Sequence, residues 1–147
     1  GEDPVFIARR RIIFASEDVG NADPRALPLA IACLQAVEAI GMPECRINIG
    51  QTVCFLASAP KSNRSYLAIN KAIDLVRRTG SAEVPAILRS TPKSSEYKYP
   101  HDFEKGYISQ NYWPASIRPE KLYEPKMRGQ EKNIAEYLTW IKDEKPN

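Results

Sequence analysis

The sequence has few glycines, and none stands where a nucleotide-binding loop would need it. The seven glycines occupy positions 1, 20, 41, 50, 80, 106 and 129. They form neither a G-x-x-x-x-G-K-[ST] nor a G-x-G-x-x-G pattern, the arrangements whose backbone N–H groups cradle phosphate. This absence excludes the common phosphate-binding loops. We therefore expect no nucleotide cofactor and no catalytic activity in this chain.

Cysteine and histidine are also scarce. The three cysteines, Cys33, Cys45 and Cys54, lie in apolar stretches without C-x-x-C spacing, and the one histidine, His101, is far from them in the sequence. The odd count argues against a disulfide framework, and the spacing argues against zinc. We predict no metal site and three reduced, buried thiols that act as small hydrophobic side chains.

Long apolar runs are missing too. No run in the sequence approaches the ~20 residues that a membrane span needs. The first residues, GEDPVF, lack the basic and apolar regions of a secretory signal. The net charge of +3 and the pI near 8.8 fall short of a dedicated nucleic-acid domain, for which a pI above ~9 is typical. These features predict a cytoplasmic protein without a membrane partner, whose charge permits an anionic partner without requiring one.

The first 80 residues do contain the pattern of four amphipathic helices. Asp3-Pro4 and Asp23-Pro24 each place a capping acceptor before a proline, which is how many helices begin. The expected helices begin at Pro4, between Pro24 and Pro28, at Pro43 and near Ser62, and they end before Gly20, Gly41, Pro60 and Gly80. Apolar residues recur in each at helical spacing: Val5, Ala8, Ile12 and Ala15; Leu27, Ile31, Leu34 and Val37; Ile49, Val53 and Leu56; and Tyr66, Ile69, Ile73 and Val76.

Gly50 is an exception within this pattern. It stands in the middle of the third expected helix, where glycine costs about 1 kcal/mol relative to alanine. Two interpretations stay open, namely tolerance of that cost or the close approach of another helix backbone.

Residues 81–147 have a weaker pattern. Prolines interrupt any long helix and no alternating strand is evident; they are Pro85, Pro92, Pro100, Pro114, Pro119 and Pro125. We expect an irregular, aromatic-rich strap with short helical turns at 85–88 and 102–110, then a final helix at about 129–142. The organisation is one domain, with a helical core at 1–80 and the strap and C-terminal helix of 81–147 packing on it.

Two groups of side chains are candidates for acid–base chemistry. Glu17 and Asp18 lie close to Asp23 in the sequence, and His101 precedes Asp102. For the carboxylates, helix capping and exposure to solvent is the alternative that we favour. Adjacent residues seldom orient each other as a base and its carboxylate, and no G-x-S-x-G nucleophile is present. We therefore predict Asp102 as a helix cap and His101 as a hydrogen-bonded packing residue.

Basic side chains near two helices are candidates for binding an anion, DNA or a partner. Three consecutive arginines in the first helix point about 100° apart, so they cannot share one face, whereas the N-terminus of the fourth helix favours anions. The alternative is a solvated, ion-paired surface. The candidates are Arg9, Arg10, Arg11, Lys61, Asn63 and Arg64.

Several stretches are similar to the C-terminal region of one family. They are GEDPVFIARR at 1–10, ASEDVGNADPRA at 15–26, LASAPKSN at 56–63, YKYPHD at 97–102, YEP at 123–125 and RG at 128–129. Together they resemble RarA-type proteins, the replication-associated recombination AAA+ ATPases also called MgsA, which are related to the eukaryotic Werner-helicase-interacting ATPase. The similarity extends over nearly the whole chain.

The resemblance implies an all-α, clamp-loader-like C-terminal domain that mediates oligomerisation, generally to a tetramer. It places the AAA+ module, with its ATP and Mg²⁺, N-terminal to these residues and outside this chain. It also implies a bacterial, nucleoid-associated parent protein that is a DNA-dependent ATPase at replication forks and contacts single-stranded-DNA-binding protein. No catalytic residue is carried over, because the Walker motifs and the arginine finger belong to that module.

The chain departs from the family pattern in one place. After Leu88-Arg89 the family usually has a longer, lysine-containing segment, where this sequence has only residues 90–95 before the tyrosine-rich stretch. Either the connection is truly short, or part of a loop is missing and 91–95 is an artificial junction. The second is favoured, since loops rich in lysine and serine are commonly mobile.

Two hypotheses for function follow. The first is an oligomerisation and scaffold domain whose interface uses the first and third helices, because each has apolar residues on more than one face. The candidate interface residues are Phe6, Ile13, Ile47 and Cys54. The alternative is a DNA-binding module that contacts phosphate through the basic side chains of the first and fourth helices.

Overall fold

The computed structural model describes residues 1–89 and 97–142. Within these ranges the protein is all-α, as predicted, with five α-helices, a few short 3₁₀ or π turns and no β-strand. The helices are α1 (Pro4–Phe14), α2 (Ala26–Ile40), α3 (Cys45–Ser58), α4 (Arg64–Thr79) and α5 (Glu131–Lys142). The predicted junction at 91–95 lies outside the described residues.

α1 begins where the sequence indicates. The Asp3 carboxylate accepts hydrogen bonds from the backbone N–H groups of Val5 at 3.3 Å and Phe6 at 3.1 Å, which satisfies donors that a helix start leaves unpaired. The helical run continues as a π turn, Ala15–Val19. Gly20, with a φ of +52°, ends this run at the predicted place, and a separate 3₁₀ turn, Gly20–Ala22, follows.

α2 and α3 begin two residues after their proline signals. α2 starts at Ala26, inside the expected range of 24–28. Pro28 is its third residue and falls among the first four N–H groups, which have no helical partner, so its missing donor costs nothing. α3 starts at Cys45, after Pro43.

The core lies where α1, α2 and α3 pack on one another. One cluster joins Ala15, Val19, Ala26, Ala30 and Leu56, and a second joins Ala8, Cys33, Val37 and Cys45. Because most of these side chains are small, the helix axes can approach closely.

The predicted burial of the three cysteines is confirmed for two of them. Cys33 and Cys45 are buried, whereas Cys54 is exposed, and that prediction is wrong. The physical reason is helical geometry: Cys54 stands two positions, or about 200°, from the buried Leu56 on the same helix. Cys54 therefore lies on the outer face of α3.

Gly50 has open space around it. Apart from the neighbouring backbone of α3 itself, no atom lies within 4 Å of the point where a Cβ would stand, so no other backbone of the described residues approaches it. Of the two interpretations, the single chain therefore supports the first, in which α3 tolerates the cost of a glycine in its middle.

α4 packs on the body with a face other than its most apolar one. Leu75 is its buried residue. The predicted apolar stripe lies on another side and is exposed, with Ile69 at 56% and Val76 at 58% of their full accessibility. We call Tyr66, Ile69, Ile73 and Val76 the outer stripe of α4.

The strap is irregular, as predicted, but one of its expected turns lies elsewhere. A 3₁₀ turn at Ala86–Leu88 agrees with the expected turn at 85–88. The second turn is Pro100–Asp102 rather than 102–110, because proline fixes φ near the helical value at its start. Asp102 therefore ends a turn instead of capping a helix, and that prediction is wrong. His101 is exposed, and its ring contacts Tyr99 at 5.1 Å between centroids.

Candidate functional site

The strap joins the helical body at a polar junction, made by residues 19–23, Ser62 and 123–131. The backbone N–H of Gln130 donates to the carbonyl oxygen of Ala22 at 2.8 Å. A Cβ on Gly129 would stand closer than 3.0 Å to that same oxygen, and Gly129 has a φ of +51°. Both facts favour glycine here, because only glycine adopts this conformation at no steric cost.

A second glycine of the junction, Gly20, also lies against a backbone carbonyl oxygen next to a backbone hydrogen bond. The N–H of Ser62 donates to the carbonyl oxygen of Val19 at 3.2 Å. A Cβ on Gly20 would stand closer than 3.0 Å to the carbonyl oxygen of Ser62. The chain is thus close-packed, backbone against backbone, at two glycines.

The centre of the junction is a buried carboxylate. Glu131 is fully buried, and its Oε1 accepts from the hydroxyl of Tyr123 at 2.8 Å while its Oε2 accepts from the N–H of Lys126 at 3.0 Å. The Nδ2 of Asn21 donates to the Tyr123 hydroxyl at 3.1 Å. Burial is the main reason why the pKa of Tyr123 is raised above its usual value. The bond between Asn21 and Tyr123 connects residues 102 positions apart, whereas the two bonds to Glu131 lie within the segment 123–131.

The junction is built from several of the separate stretches that resemble the family. Residues 19–23 lie in the stretch 15–26, Ser62 in 56–63, Tyr123 in 123–125 and Gly129 in 128–129. In the fold these stretches meet. Sequence reasoning missed this cluster, because a glutamate near a helix start is ordinarily exposed.

The acidic side chains near residue 20, which were candidates for acid–base chemistry, make local contacts instead. Asp23 is buried and pairs with Arg25 at 2.7 Å, and it also accepts from the Arg25 backbone N–H at 3.1 Å. The hydrogen bond from the Arg25 side chain holds the pKa of Asp23 below its usual value. Asp18 is exposed. The expected exposure to solvent is therefore confirmed for Asp18 and wrong for Asp23, whose carboxylate is buried against Arg25, and among the described residues no second carboxylate bonds to Asp23.

The basic candidates do not form one surface. Arg9 and Arg10 are exposed on α1, whereas the Nη1 of Arg11 is buried and has no hydrogen-bond partner in the described part of the chain. The ammonium of Lys61 donates to the carbonyl oxygens at the end of α3, including Leu56 at 2.9 Å and Ala59. Lys61 therefore neutralises the negative end of that helix.

Asn63 and Arg64 stand at the start of α4. Asn63 makes no side-chain capping bond, and its Oδ1 is buried without a partner among the described residues. Arg64 lines a cavity of about 240 Å³ with Lys71 and the carboxylates of Asp74 and Glu124. Lys71 bonds to Glu124 at 2.8 Å and is the main reason why the pKa of Glu124 is lowered. Because the lining of the cavity carries both charge signs, it gives no support to an anion site, and the role of Asn63 and Arg64 stays a prediction.

The apolar candidates are all on the surface. Phe6, Ile13, Ile47 and Cys54 are exposed. Ile13 also lines an open groove of about 470 Å³ between the end of α1 and the start of α4, and Tyr66 and Ile69 form the opposite wall. The outer stripe of α4 is therefore continuous with one of the four predicted interface residues.

Sequence reasoning did not single out the outer stripe as a surface, although a signal was present. α4 has apolar residues on a second side, including Ala68, Ala72 and the buried Leu75. The same criterion, apolar residues on more than one face, selected α1 and α3.

Neither a metal site nor a membrane span is found in the residues that the structure describes. Residues 1–89 and 97–142 contain no group of three or more histidine, cysteine, aspartate or glutamate side chains placed to hold an ion. No helix in these ranges is long and apolar enough to cross a bilayer.

Comparison with known proteins identifies relatives over the whole length of the chain. It is 41% identical over 151 residues to replication-associated recombination protein A of Coxiella burnetii, covering 97% of this chain and 34% of that protein. Its identity to the protein of the same name in Escherichia coli is 38% over 156 residues, with 100% and 35% covered. ATPase WRNIP1 of Dictyostelium discoideum is 38% identical over 136 residues, with 86% and 16% covered.

The chain thus spans about a third of the length of these bacterial relatives. Its alignment with the Escherichia coli protein is longer than the 147 residues of this chain, so that relative has residues which this chain lacks. The family described as MgsA AAA+ ATPase C terminal matches residues 1–142. On this match and these identities, the chain belongs to the MgsA AAA+ ATPase C-terminal family.

Proposed function

We propose that this chain is the oligomerisation domain of a AAA+ ATPase that acts in replication-fork maintenance and recombination. The relatives named replication-associated recombination protein A support the setting. The observation that carries the assembly role is the outer stripe of α4. Its four large apolar side chains remain 40–58% exposed within the described residues, although the helix has folded onto the body.

The spacing of the outer stripe suits another helix. Its residues, 66, 69, 73 and 76, follow steps of three, four and three, the a/d pattern by which helices pair. An apolar surface of this kind is typical of contacts between subunits, which resemble a divided protein core.

The charges beside the stripe favour a second copy of the same chain. Lys71 pairs with Glu124 at 2.8 Å, Arg77 with Asp74 and Arg78 with Glu120, both at 3.3 Å. Because these cations are already paired, two copies of α4 can approach without strong like-charge repulsion. The predicted interface residues on α3, Ile47 and Cys54, provide a further exposed apolar face, and two such faces per chain would build a tetramer.

Light scattering with surface variants tests the proposal. We expect the wild-type chain at tens of micromolar to exceed the 16.6 kDa of one copy. Ile69→Asp or Val76→Asp should shift it towards the monomer, because an unpaired charge is costly to bury. Val84→Asp is the matched control, since Val84 is also exposed, at 55%, and lies outside α4. A wild-type chain that is monomeric throughout this concentration range would refute the assembly role.

In this proposal, ATP is bound and hydrolysed by a part of the whole protein outside this chain. The residues of this chain do not fit ATP and Mg²⁺, because its glycines form no phosphate loop and the described residues contain no acidic metal cluster. We place ATP binding, DNA-dependent hydrolysis and contact with single-stranded-DNA-binding protein in the whole protein, at the bacterial nucleoid.

A DNA-binding module is the second candidate, favoured by the exposed side chains of Arg9 and Arg10 on α1. Binding through these arginines would depend steeply on salt, since phosphate contacts release counterions. Arg9→Ala/Arg10→Ala should then weaken DNA binding, and unchanged binding would end this alternative. Lys61 is a poorer candidate, because its ammonium already bonds to α3.

A further inference from the structure

We propose that the outer face of α3 binds the same face of a second copy of this chain, and that the two helices cross at Gly50. The outer face of α3 consists of six residues that share one side of the helix: Ile47, Gly50, Gln51, Cys54, Ala57 and Ser58. The contact rests on the proposed assembly role, since it would be a second surface of the same assembly, distinct from the outer stripe of α4.

The outer face of α3 is exposed and carries no charge. All six of its residues are exposed, and Ile47 retains 66% of its full accessibility. The sequence has no charged side chain at 47–59, although charged residues make up 27% of the whole chain. The solvent side of a helix ordinarily has charged and polar residues, whereas depletion of charge is typical of the centre of a protein–protein interface. The pattern therefore indicates a face that another protein surface covers.

Gly50, in the middle of this face, has no role within the single chain. Glycine is unfavourable in a helix interior relative to alanine. Gly50 does not have a positive φ, and apart from α3 itself no atom lies within 4 Å of the point where its Cβ would stand. Neither its backbone conformation nor a contact among the described residues therefore requires glycine. A helix of a second copy would supply that requirement, because the missing side chain lets two helix backbones approach closely.

The face contains both a projecting side chain and a hollow, so it can bind its own copy. Ile47 lies one turn before Gly50, and Cys54 lies one turn after it. In a two-fold contact, every interaction that one copy makes is repeated by the other. Ile47 of each copy can therefore fill the hollow over Gly50 of the other. The small side chains of Ala57 and Ser58 do not hold the helices apart.

The polar groups of this face permit its burial. The hydroxyl of Ser58 already donates to the carbonyl oxygen of Cys54 at 2.9 Å, and a thiol behaves as a small hydrophobic group. The amide of Gln51 both donates and accepts hydrogen bonds, so the two copies of Gln51 can pair with each other. A strongly charged partner would lose hydration here without gaining an ion pair. A second copy of this uncharged face has neither that loss nor like-charge repulsion.

Gly50→Leu distinguishes a close helix crossing from general apolar attraction. Leucine is a good helix former and the position is open, so the folded monomer should be at least as stable in urea as wild type. The new side chain would fill the hollow, and we expect association of the 147-residue chain, measured by light scattering, to weaken by about tenfold or more. A face that associates only through its apolar area would instead bind more tightly, because leucine adds apolar surface.

Ala39→Leu is the matched control, because Ala39 is also an exposed helical residue and lies on α2. This variant adds the same apolar side chain without touching the outer face of α3, so we expect its association to equal that of wild type.

The reactivity of Cys54 places the contact on α3. Cys54 is exposed, whereas Cys33 and Cys45 are buried, so N-ethylmaleimide should react chiefly with Cys54. In Ile69→Asp, which removes the contact through α4, we expect a species of twice the 16.6 kDa of one copy. Alkylation of Cys54 in this variant should slow as protein concentration rises. Adding Gly50→Leu should abolish that dependence and give a monomer.

The possible outcomes separate this contact from the assembly role. A wild-type chain that is monomeric throughout refutes both. An oligomeric wild type with unchanged or tighter association in Gly50→Leu overturns only the contact at Gly50, as does an equal loss in Ala39→Leu. A monomeric Ile69→Asp, or alkylation of Cys54 that is independent of concentration, also overturns it and leaves the outer face of α3 to a different partner.

Discussion

The junction and the outer stripe of α4 differ in how fully their side chains are packed and bonded within one chain. At the junction the buried Glu131 has hydrogen-bond partners at both oxygens, and Gly129 leaves no room for a Cβ. On the outer stripe, Ile69 and Val76 are large apolar side chains more than half exposed. The polar groups of the junction are paired within one chain, whereas the outer stripe is left partly exposed by the described residues. The junction should therefore govern folding, and the outer stripe should govern association.

Gly129→Ala should cause the largest loss of stability. The new methyl group would meet the Ala22 carbonyl at a positive φ, and strain of this kind costs about 1–3 kcal/mol before the clash is added. We expect the free energy of unfolding to fall by at least about 2 kcal/mol in urea denaturation. Gly106→Ala is the control: it has a similar φ of +60° but nothing within 4 Å. An equal loss in both variants would mean that the junction is not close-packed.

Tyr123→Phe should have the next largest effect. Removing the hydroxyl leaves the Oε1 of Glu131 and the Nδ2 of Asn21 each without the partner that it has in the junction, and an unsatisfied buried group costs about 1–3 kcal/mol. Thermal or urea unfolding measures this loss. Tyr137→Phe, at an exposed tyrosine of α5, should leave stability unchanged. If the two variants were equally stable, the buried polar network would not contribute to folding.

The Asp23–Arg25 pair should give a smaller effect that depends on pH. Because the pKa of folded Asp23 is lowered, its contribution is present above the unfolded pKa of about 3.9 and is lost as pH falls through the folded value. Asp23→Asn should therefore be less stable than wild type at pH 7, by about 1 kcal/mol or less because Arg25 is exposed. The difference should narrow below pH ~4. A difference independent of pH would show that the carboxylate charge is not its source.

Ile69→Asp should have the smallest effect on the stability of the monomer. Ile69 is largely exposed, and surface changes usually stay within about 0.5 kcal/mol. Unfolding measured at a dilution where the protein is monomeric checks this. A large loss would place Ile69 in the fold of the single chain and remove the contrast with the junction.

Local signals in the sequence predicted the helices because their causes are local. Asp3 caps α1, and glycines with positive φ end helical runs at residues 20, 41 and 80. The turn predicted at 102–110 lies at Pro100–Asp102, because proline fixes φ near the helical value, whereas Asp102 has only a preference for capping. The two glycines of the junction were visible in the sequence, but the oxygens that they approach were not.

Long-range contacts could not be predicted in this way. Asn21 and Tyr123 are 102 positions apart, and no local pattern pairs them. The outer stripe shows a second limit, because helical spacing of Tyr66 and Ile69 is the same whether the same chain or another covers the stripe. The exposure of Cys54 follows from that ambiguity as well, since α3 has apolar residues on two faces.

Hydrogen exchange measured across a hundredfold range of protein concentration tests most directly whether the outer stripe is a surface for association. We expect the amides of α4 to exchange more slowly as concentration rises, because a second copy would cover the helix and suppress its local opening. The junction amides of Gln130 and Lys126, already bonded within the chain, should change little. Exchange of α4 that is independent of concentration would contradict the account.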